Sequence, residues 1–256
     1  MHVILVISLR FTSYRTTIRL KSCHDEPNKF CNFAAKITFM RIARFTFNPF
    51  SENTYLLYDE SMECVIIDPG MTDEDEDSIL FGFIRDEKLR PVKVLNTHCH
   101  IDHILGNASS CNTFDIKLYA HEKELQMLER AGAASLMWNV PYRESPLPHH
   151  YIQEGEQIHF GNTVLDVLFT PGHAPGHVVF VQHQEKVILG GDVLFKGSVG
   201  RVDLPGCNAT DLVSSIQHKL YTLADDYVVY PGHGPETTIG DEKKHNAFVR
   251  SGWSGL

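Results

Sequence analysis

Within the segment Thr97-His98-Cys99-His100-Ile101-Asp102-His103, three histidines and one aspartate fall inside six consecutive positions. Imidazole is the commonest protein ligand for a transition-metal ion, and carboxylate is a regular oxygen donor. On extended backbone the side chains at i and i+2 share a face. His98 and His100 can therefore grip one ion while Cys99 faces elsewhere, and a turn into a following helix redirects Asp102 and His103 toward a neighbouring point. The bland alternative makes the histidines independent surface residues and Asp102 a helix cap. Four ligand-type residues so close together favour metal.

Three more segments share one layout. A strand pattern at 164–170 runs into Pro171-Gly172-His173, one at 187–189 into Gly190-Gly191-Asp192, and one at 228–230 into Pro231-Gly232-His233. Glycine beside each candidate permits tight turns and close backbone approach. Loops at strand ends are also where sites sit on a rigid sheet. Singly these signals are weak. Joined to the first segment they supply five histidines and two aspartates, enough for two metal ions with one bridging carboxylate.

The elements that must position these residues read as strands first. Residues 41–47, 53–58 and 64–67 are rich in aromatic and β-branched side chains, and the third run ends in the turn Asp68-Pro69-Gly70. The acidic run 73–77 suits a helix N-terminus, with Ile79, Leu80, Phe83 and Ile84 following at helical spacing. Strands are expected at 92–96, 117–120, 163–170, 178–182, 186–189 and 227–230. Helices are expected from 102 to about 111, over 121–131 and over 210–223, with a loop at 139–150. This alternation predicts a single α/β domain, a sheet core covered by helices.

Composition narrows the function classes. The chain has 256 residues, 43% hydrophobic and 21% charged, with formal net charge -9. That sign argues against a general nucleic-acid-binding surface. No apolar run reaches the roughly 18 residues that a membrane span needs, so no membrane partner is expected. Six cysteines without a CxxC pair point to reduced thiols and a cytoplasmic setting. Residues 1–39 carry six basic side chains against two acidic, +4, leaving -13 for the rest. No positive residue precedes their apolar run 2–9, so a signal peptide fits poorly and a transit peptide only weakly. They are read as an N-terminal extension outside the fold, with 40–256 forming the domain.

The chain resembles the metallo-β-lactamase superfamily, from about Met40 onward. The resemblance rests on His98-x-His100-x-Asp102-His103, His173, Asp192 and His233, with Asp68 at the earlier strand end. It is most similar to the short, single-domain glyoxalase II-like (hydroxyacylglutathione hydrolase-like) branch. Thr170-Pro-Gly-His173, Gly191-Asp192-Val-Leu-Phe195, Gly197-Ser-Val-Gly-Arg201 and Pro231-Gly-His233-Gly-Pro-Glu236-Thr-Thr carry that likeness. Only 23 residues follow His233, too few for the helical domain of the long forms.

The resemblance implies an αββα four-layer sandwich. It implies His98, His100 and His173 on a first divalent ion, Asp102, His103 and His233 on a second, Asp192 bridging, and Asp68 in support behind the ligands. Zinc is the first choice, with iron or manganese also suited to the donors. The implied reaction is cleavage of a small-molecule thioester, such as a hydroxyacylglutathione, by metal-activated hydroxide, with Asp102 orienting the nucleophile. Arg201 meets a substrate carboxylate or pairs with an internal acid, and His177 lines the pocket or makes a structural hydrogen bond. Trp138 and Tyr142 shape the entrance or pack in the core, and His149-His150 belong to a lid or a solvated loop. The rival readings are a persulfide dioxygenase with one iron on His98, His173 and Asp192, a lactonase, and a non-catalytic metal-binding protein. A β-lactamase is disfavoured by the aspartate at the bridging position and the lack of a convincing export signal.

Overall fold

Alternation along the strands decides the layering of the molecule, a computed structural model that describes residues 39–250. The expected N-terminal extension lies outside the described residues, apart from Phe39. Strands β1 (Arg41–Phe47), β2 (Glu52–Tyr58), β3 (Glu63–Ile67), β4 (Arg90–Leu95), β5 (Lys117–Ala120) and β6 (His150–Tyr151) form one sheet in that order. A second sheet begins with β7 (Gln157–Phe160), β8 (Thr163–Phe169), β9 (Val178–Gln182) and β10 (Val187–Gly191). After a small ribbon of β11 (Leu194–Phe195) and β12 (Ser198–Val199), it is completed by β13 (Val228–Pro231) and β14 (Thr237–Thr238), in the order β14-β13-β10-β9-β8-β7.

Period-two alternation sends Val65 and Ile67 of β3 into the core between the sheets, and Cys64 and Ile66 to the opposite face. On β9, Val178 and Phe180 face the other sheet while Val179 and Val181 face outward. Both faces are covered, which is why these strands are apolar throughout. The outer face of the first sheet is closed by α1 (Glu74–Asp86) and α2 (Asn107–Phe114), through Leu80, Ile84 and Cys111. Helix α3 (Leu125–Trp138) packs with the ligand segment around Cys99, Ile101 and Leu105. On the second sheet, α4 (Ala209–His218), α5 (Ile239–His245) and α6 (Ala247–Arg250) contribute Leu212, Ile216, Ile239 and Val249. The layers are α, β, β, α, as the resemblance implied. Among the described residues no helix is long and apolar enough to cross a membrane, and the four described cysteines are free.

The acidic run does open a helix: Asp73 caps α1, its side chain accepting from the Glu76 N–H. The helix expected from 102 does not form. Ile101–His103 is a single 3-10 turn, and α2 starts only at Asn107. The i to i−4 bond that would link Gly106 to Asp102 is taken apart by tertiary partners. The Gly106 N–H donates to the Pro69 carbonyl at 2.7 Å, and the Asp102 carbonyl accepts from Asn48 Nδ2 at 2.9 Å. The expected helix at 121–131 begins as a 3-10 turn, Glu122–Glu124, and continues as α3 to Trp138. The one expected over 210–223 stops at His218, followed by a 3-10 turn, Leu220–Thr222.

Candidate metal centre

Parallel pairing of β3 with β4 and of β10 with β13 puts the C-terminal ends of these strands on common edges. The chain segments leaving those ends carry six of the candidate ligands, and His173 follows β8, which runs in the same direction as β10 across β9. After β4 the backbone is held by Asp68, whose Oδ1 accepts the Thr97 N–H at 2.7 Å and whose Oδ2 accepts the Thr97 hydroxyl at 2.6 Å. Asp68 adopts φ 49° to do so, a left-handed conformation that aspartate tolerates better than most residues. Its Oδ2 also lies 3.2 Å from His103 Nδ1. This carboxylate accepts a hydrogen bond from Nδ1–H, the tautomer that leaves the His103 Nε2 lone pair free for an ion.

All seven predicted ligands come together. His100 Nδ1 and His173 Nε2 are 2.8 Å apart, and the His98 ring centroid lies 4.8 and 4.9 Å from those of His100 and His173. On the other side, His233 Nε2 is 3.1 Å from Asp102 Oδ2, and His103 Nε2 is 3.7 Å from the same oxygen. In each trio the potential ligand atoms lie within 4.8 Å of one another. Asp192 sits between the trios. Its Oδ2 is 3.5 Å from both His173 Nε2 and His233 Nε2, and its Oδ1 is 3.6 Å from His103 Nε2. That approach requires glycine at 232, where a Cβ would fall 2.2 Å from Asp192 Oδ1.

His98 Nε2, His100 Nε2, His103 Nε2 and Asp192 Oδ1 are buried and have no hydrogen-bond partner. Buried polar atoms are ordinarily satisfied, so several orphans converging in one cage fit divalent cations bound by nitrogen and oxygen donors. The charge distribution is uneven. Burial, then neighbouring imidazoles, push the pKa of His98 well down, and burial first holds His100 at about 3 and lowers His173. Burial opposes a proton on His103 too, but the Asp102 and Asp192 carboxylates outweigh it and raise its pKa well above the usual range. His233 is raised in the same way, against burial, by its hydrogen bond to Asp102 and by Asp192. Asp192 is driven well below the ordinary carboxylate range: burial resists, and His103 overcomes it.

Asp102 does not act as a helix cap. No side-chain cap bond exists at the 3-10 turn, and its carboxylate faces His233 instead. His177 is fully buried; its Nε2 accepts the Asp192 N–H at 3.1 Å, and its Nδ1 lies 3.0 Å from the Thr170 hydroxyl. It supports the backbone of the central carboxylate rather than lining a pocket. Arg201 forms two bonds to the exposed Asp203, at 2.6 and 2.8 Å, so an acid of its own loop holds it. His150 is part of β6 and pairs with Glu156 at 2.6 Å, while the His149 N–H bonds the Leu118 carbonyl at 2.9 Å. This end of the loop is anchored, not a free lid. Trp138 is half-exposed and stands edge-on to Phe50, whose carbonyl lies 3.1 Å from His233 Nδ1. Tyr142 packs against the cluster beneath the ligand segment.

Two buried acids beside the cage escaped the sequence reading. Glu52 is fully buried with its Oε1 unpartnered, 3.9 Å from His103 Nδ1, and burial raises its pKa well above normal. Glu124 is fully buried as well, and burial lifts its carboxyl to about 7. A signal existed for the first: Glu52-Asn53-Thr54 is a polar trio opening a strand that is otherwise Tyr and Leu.

Comparison with known proteins places this geometry. The sequence profile of the metallo-β-lactamase superfamily matches residues 47–233. The chain is 35% identical over 204 residues to the hydroxyacylglutathione hydrolase GloC of Haemophilus influenzae, covering 79% of this chain and 94% of that protein. It is similar to the crystal structure of the BLEG-1 B3 metallo-β-lactamase, with TM-score 0.75 and 36% identity over 81% of this chain and 99% of that one. It is also similar to TTHA1623, solved in a di-iron-bound form, with TM-score 0.73 and 38% identity over 80% and 98% of the two chains. With most of its length matched to the profile and the ligand cage assembled at the strand ends, the chain belongs to the metallo-β-lactamase superfamily.

Proposed function

We propose that this protein is a dinuclear metal hydrolase acting on a thioester of the hydroxyacylglutathione class. His98, His100 and His173 would hold the first divalent ion and Asp102, His103 and His233 the second, with Asp192 placed between the two sets to serve both. The observation that carries the reading is the pair of trios, with Nε2 of His98, His100 and His103 unpartnered and the Asp192 carboxylate lying between them. Likeness to a hydroxyacylglutathione hydrolase supports the substrate class. Zinc is the proposed metal; the di-iron relative keeps iron as the next choice. A bound pair supplies Lewis-acid polarisation of a carbonyl and an acidified water.

The chain's own residues do the remaining work. Asp68 fixes the tautomer of His103, and His177 fixes the Asp192 backbone. Asp102 is mostly buried between two imidazoles, placed to orient the nucleophile and accept its proton. His233, with 27% of its side chain exposed, marks the open side. On the rim, an anionic substrate group reaches Arg201 by competing with Asp203, a solvent-screened pair that costs little to open.

The test is a substrate panel on metal-loaded protein: S-D-lactoylglutathione, a glutathione persulfide with oxygen consumption followed, a lactone and a β-lactam. Thioester hydrolysis exceeding the other activities by at least about tenfold, or 1.4 kcal/mol in transition-state binding, is the expected result. Persulfide oxidation, or lactam or lactone turnover, as the dominant activity overturns the substrate assignment.

A further inference from the structure

Glu124 belongs to neither trio, yet its carboxylate touches both chain segments that carry the first one. Its Oε2 accepts the Cys99 N–H at 2.7 Å, and Cys99 stands between His98 and His100. Its Oε1 accepts the Gly176 N–H at 2.6 Å, in the turn that follows His173. As the residue before α3, Glu124 occupies a capping position but makes no side-chain cap bond to its own helix. The carboxylate is spent on two segments far from it in sequence. The space it fills is kept open on the other side as well: a Cβ at Gly176 would lie 2.8 Å from both Cγ and Oε1 of Glu124.

We propose that Glu124 is a positioning residue that fixes the spacing of His98, His100 and His173, and so sets the affinity of the first metal site without touching the metal. This inference rests on the two-metal reading above and adds a residue to it. The chemistry of the clamp is specific. Two N–H donors converge on two oxygens, which only a carboxylate can satisfy together. An amide of the same shape offers one acceptor and one donor, so one of the two backbone N–H groups must face another N–H. The second trio has its own support in Asp68 and receives nothing from Glu124.

The experiment is zinc titration against a chromophoric chelator for the wild type, Glu124→Gln and Gly176→Ala, with amide hydrogen exchange of the metal-free proteins. His98→Ala and His233→Ala serve as references for the two sites. In Glu124→Gln the first site is expected to weaken by about 10- to 100-fold, the usual effect of losing an outer ligand partner, with the second within about threefold of wild type. In that background His233→Ala should abolish the remaining tight site and His98→Ala should leave it. Faster exchange at Cys99 and Gly176 should accompany the loss. Gly176→Ala displaces the same carboxylate from the other side and should reproduce the pattern, which carries the test if Glu124→Gln does not fold. Wild-type affinity at both sites in the variants, or equal weakening of both sites, overturns the inference alone. A wild-type chain that binds no zinc overturns the two-metal reading and this inference together.

Discussion

His103 and His98 are neighbours, with ring centroids 4.1 Å apart, yet their proton affinities are pushed in opposite directions. The difference comes from what surrounds each ring. His98 is enclosed by other imidazoles, while His103 is ringed by Asp102, Asp192 and Asp68. The sign for metal uptake follows directly. The first trio has lowered pKa values and so carries fewer protons to displace, and its uptake of zinc should depend on pH less than that of the second. His103 and His233 have raised values, and a cation entering the second trio must displace their protons. Its occupancy should therefore fall as pH drops through those raised values, by up to about two protons per ion. Calorimetric titration in buffers of different ionisation enthalpy measures this; equal proton release from both sites would contradict the assignment. Asp68 gives a second expectation at this scale. Asp68→Asn removes an acceptor shared by Thr97 and His103, and should weaken the second site by about 10- to 100-fold in the same chelator competition. Unchanged affinity at that site would remove Asp68 from its supporting role.

Elements position these residues through close backbone contacts, and those contacts show where the sequence was readable. Strands β1 and β9 were legible end to end, because their apolar patterns are dense and local. The seven candidate ligands were legible as a group because they fall in segments that follow strand ends, most of them beside a tight turn. The 3-10 turn at Ile101–His103 was not, since its cause lies in Asn48 and Pro69, far away in sequence. Glu124 was hidden for the same reason: as one of two acids in Glu122-Lys123-Glu124, only its distant partners distinguish it. Strand β7, a short Gln-Ile-His-Phe edge, and the two-residue strands are set by pairing rather than by pattern. Gly232→Ala tests the close approach of β13 to the cage. Its added Cβ, 2.2 Å from Asp192 Oδ1 and 2.7 Å from His103 Cε1, should strip bound metal while circular dichroism stays native. Full metal content in that variant would mean the cage yields more than its geometry suggests. Arg143 plays a different part, tying the loop after α3 to Asp77 of α1 and to the Met71 carbonyl. Arg143→Ala should lower unfolding stability by about 1–3 kcal/mol in a denaturant titration and leave metal content intact. A loss of metal would show that this loop shapes the site after all.

At the scale of the whole molecule, the two sheets face each other mainly through side chains, but at the site end their backbones are joined. The Asn53 N–H donates to the Gly232 carbonyl at 2.7 Å, and the Val178 N–H to the Thr97 carbonyl at 2.8 Å. Tyr55 adds a hydroxyl bond to the Pro231 carbonyl at 2.7 Å. The first trio draws His98 and His100 from one sheet and His173 from the other, and the second likewise draws Asp102 and His103 from the first sheet and His233 from the second. On the proposed reading, metal ions held in this seam would bind the folded chain more tightly than the unfolded one and stabilise the fold by linkage. Elemental analysis of the purified chain, paired with S-D-lactoylglutathione hydrolysis before and after chelation, addresses the seam and the chemistry at once. The account predicts about two divalent ions per chain, turnover lost on chelation, and turnover restored by adding zinc. Thioester hydrolysis that survives complete removal of metal would contradict it.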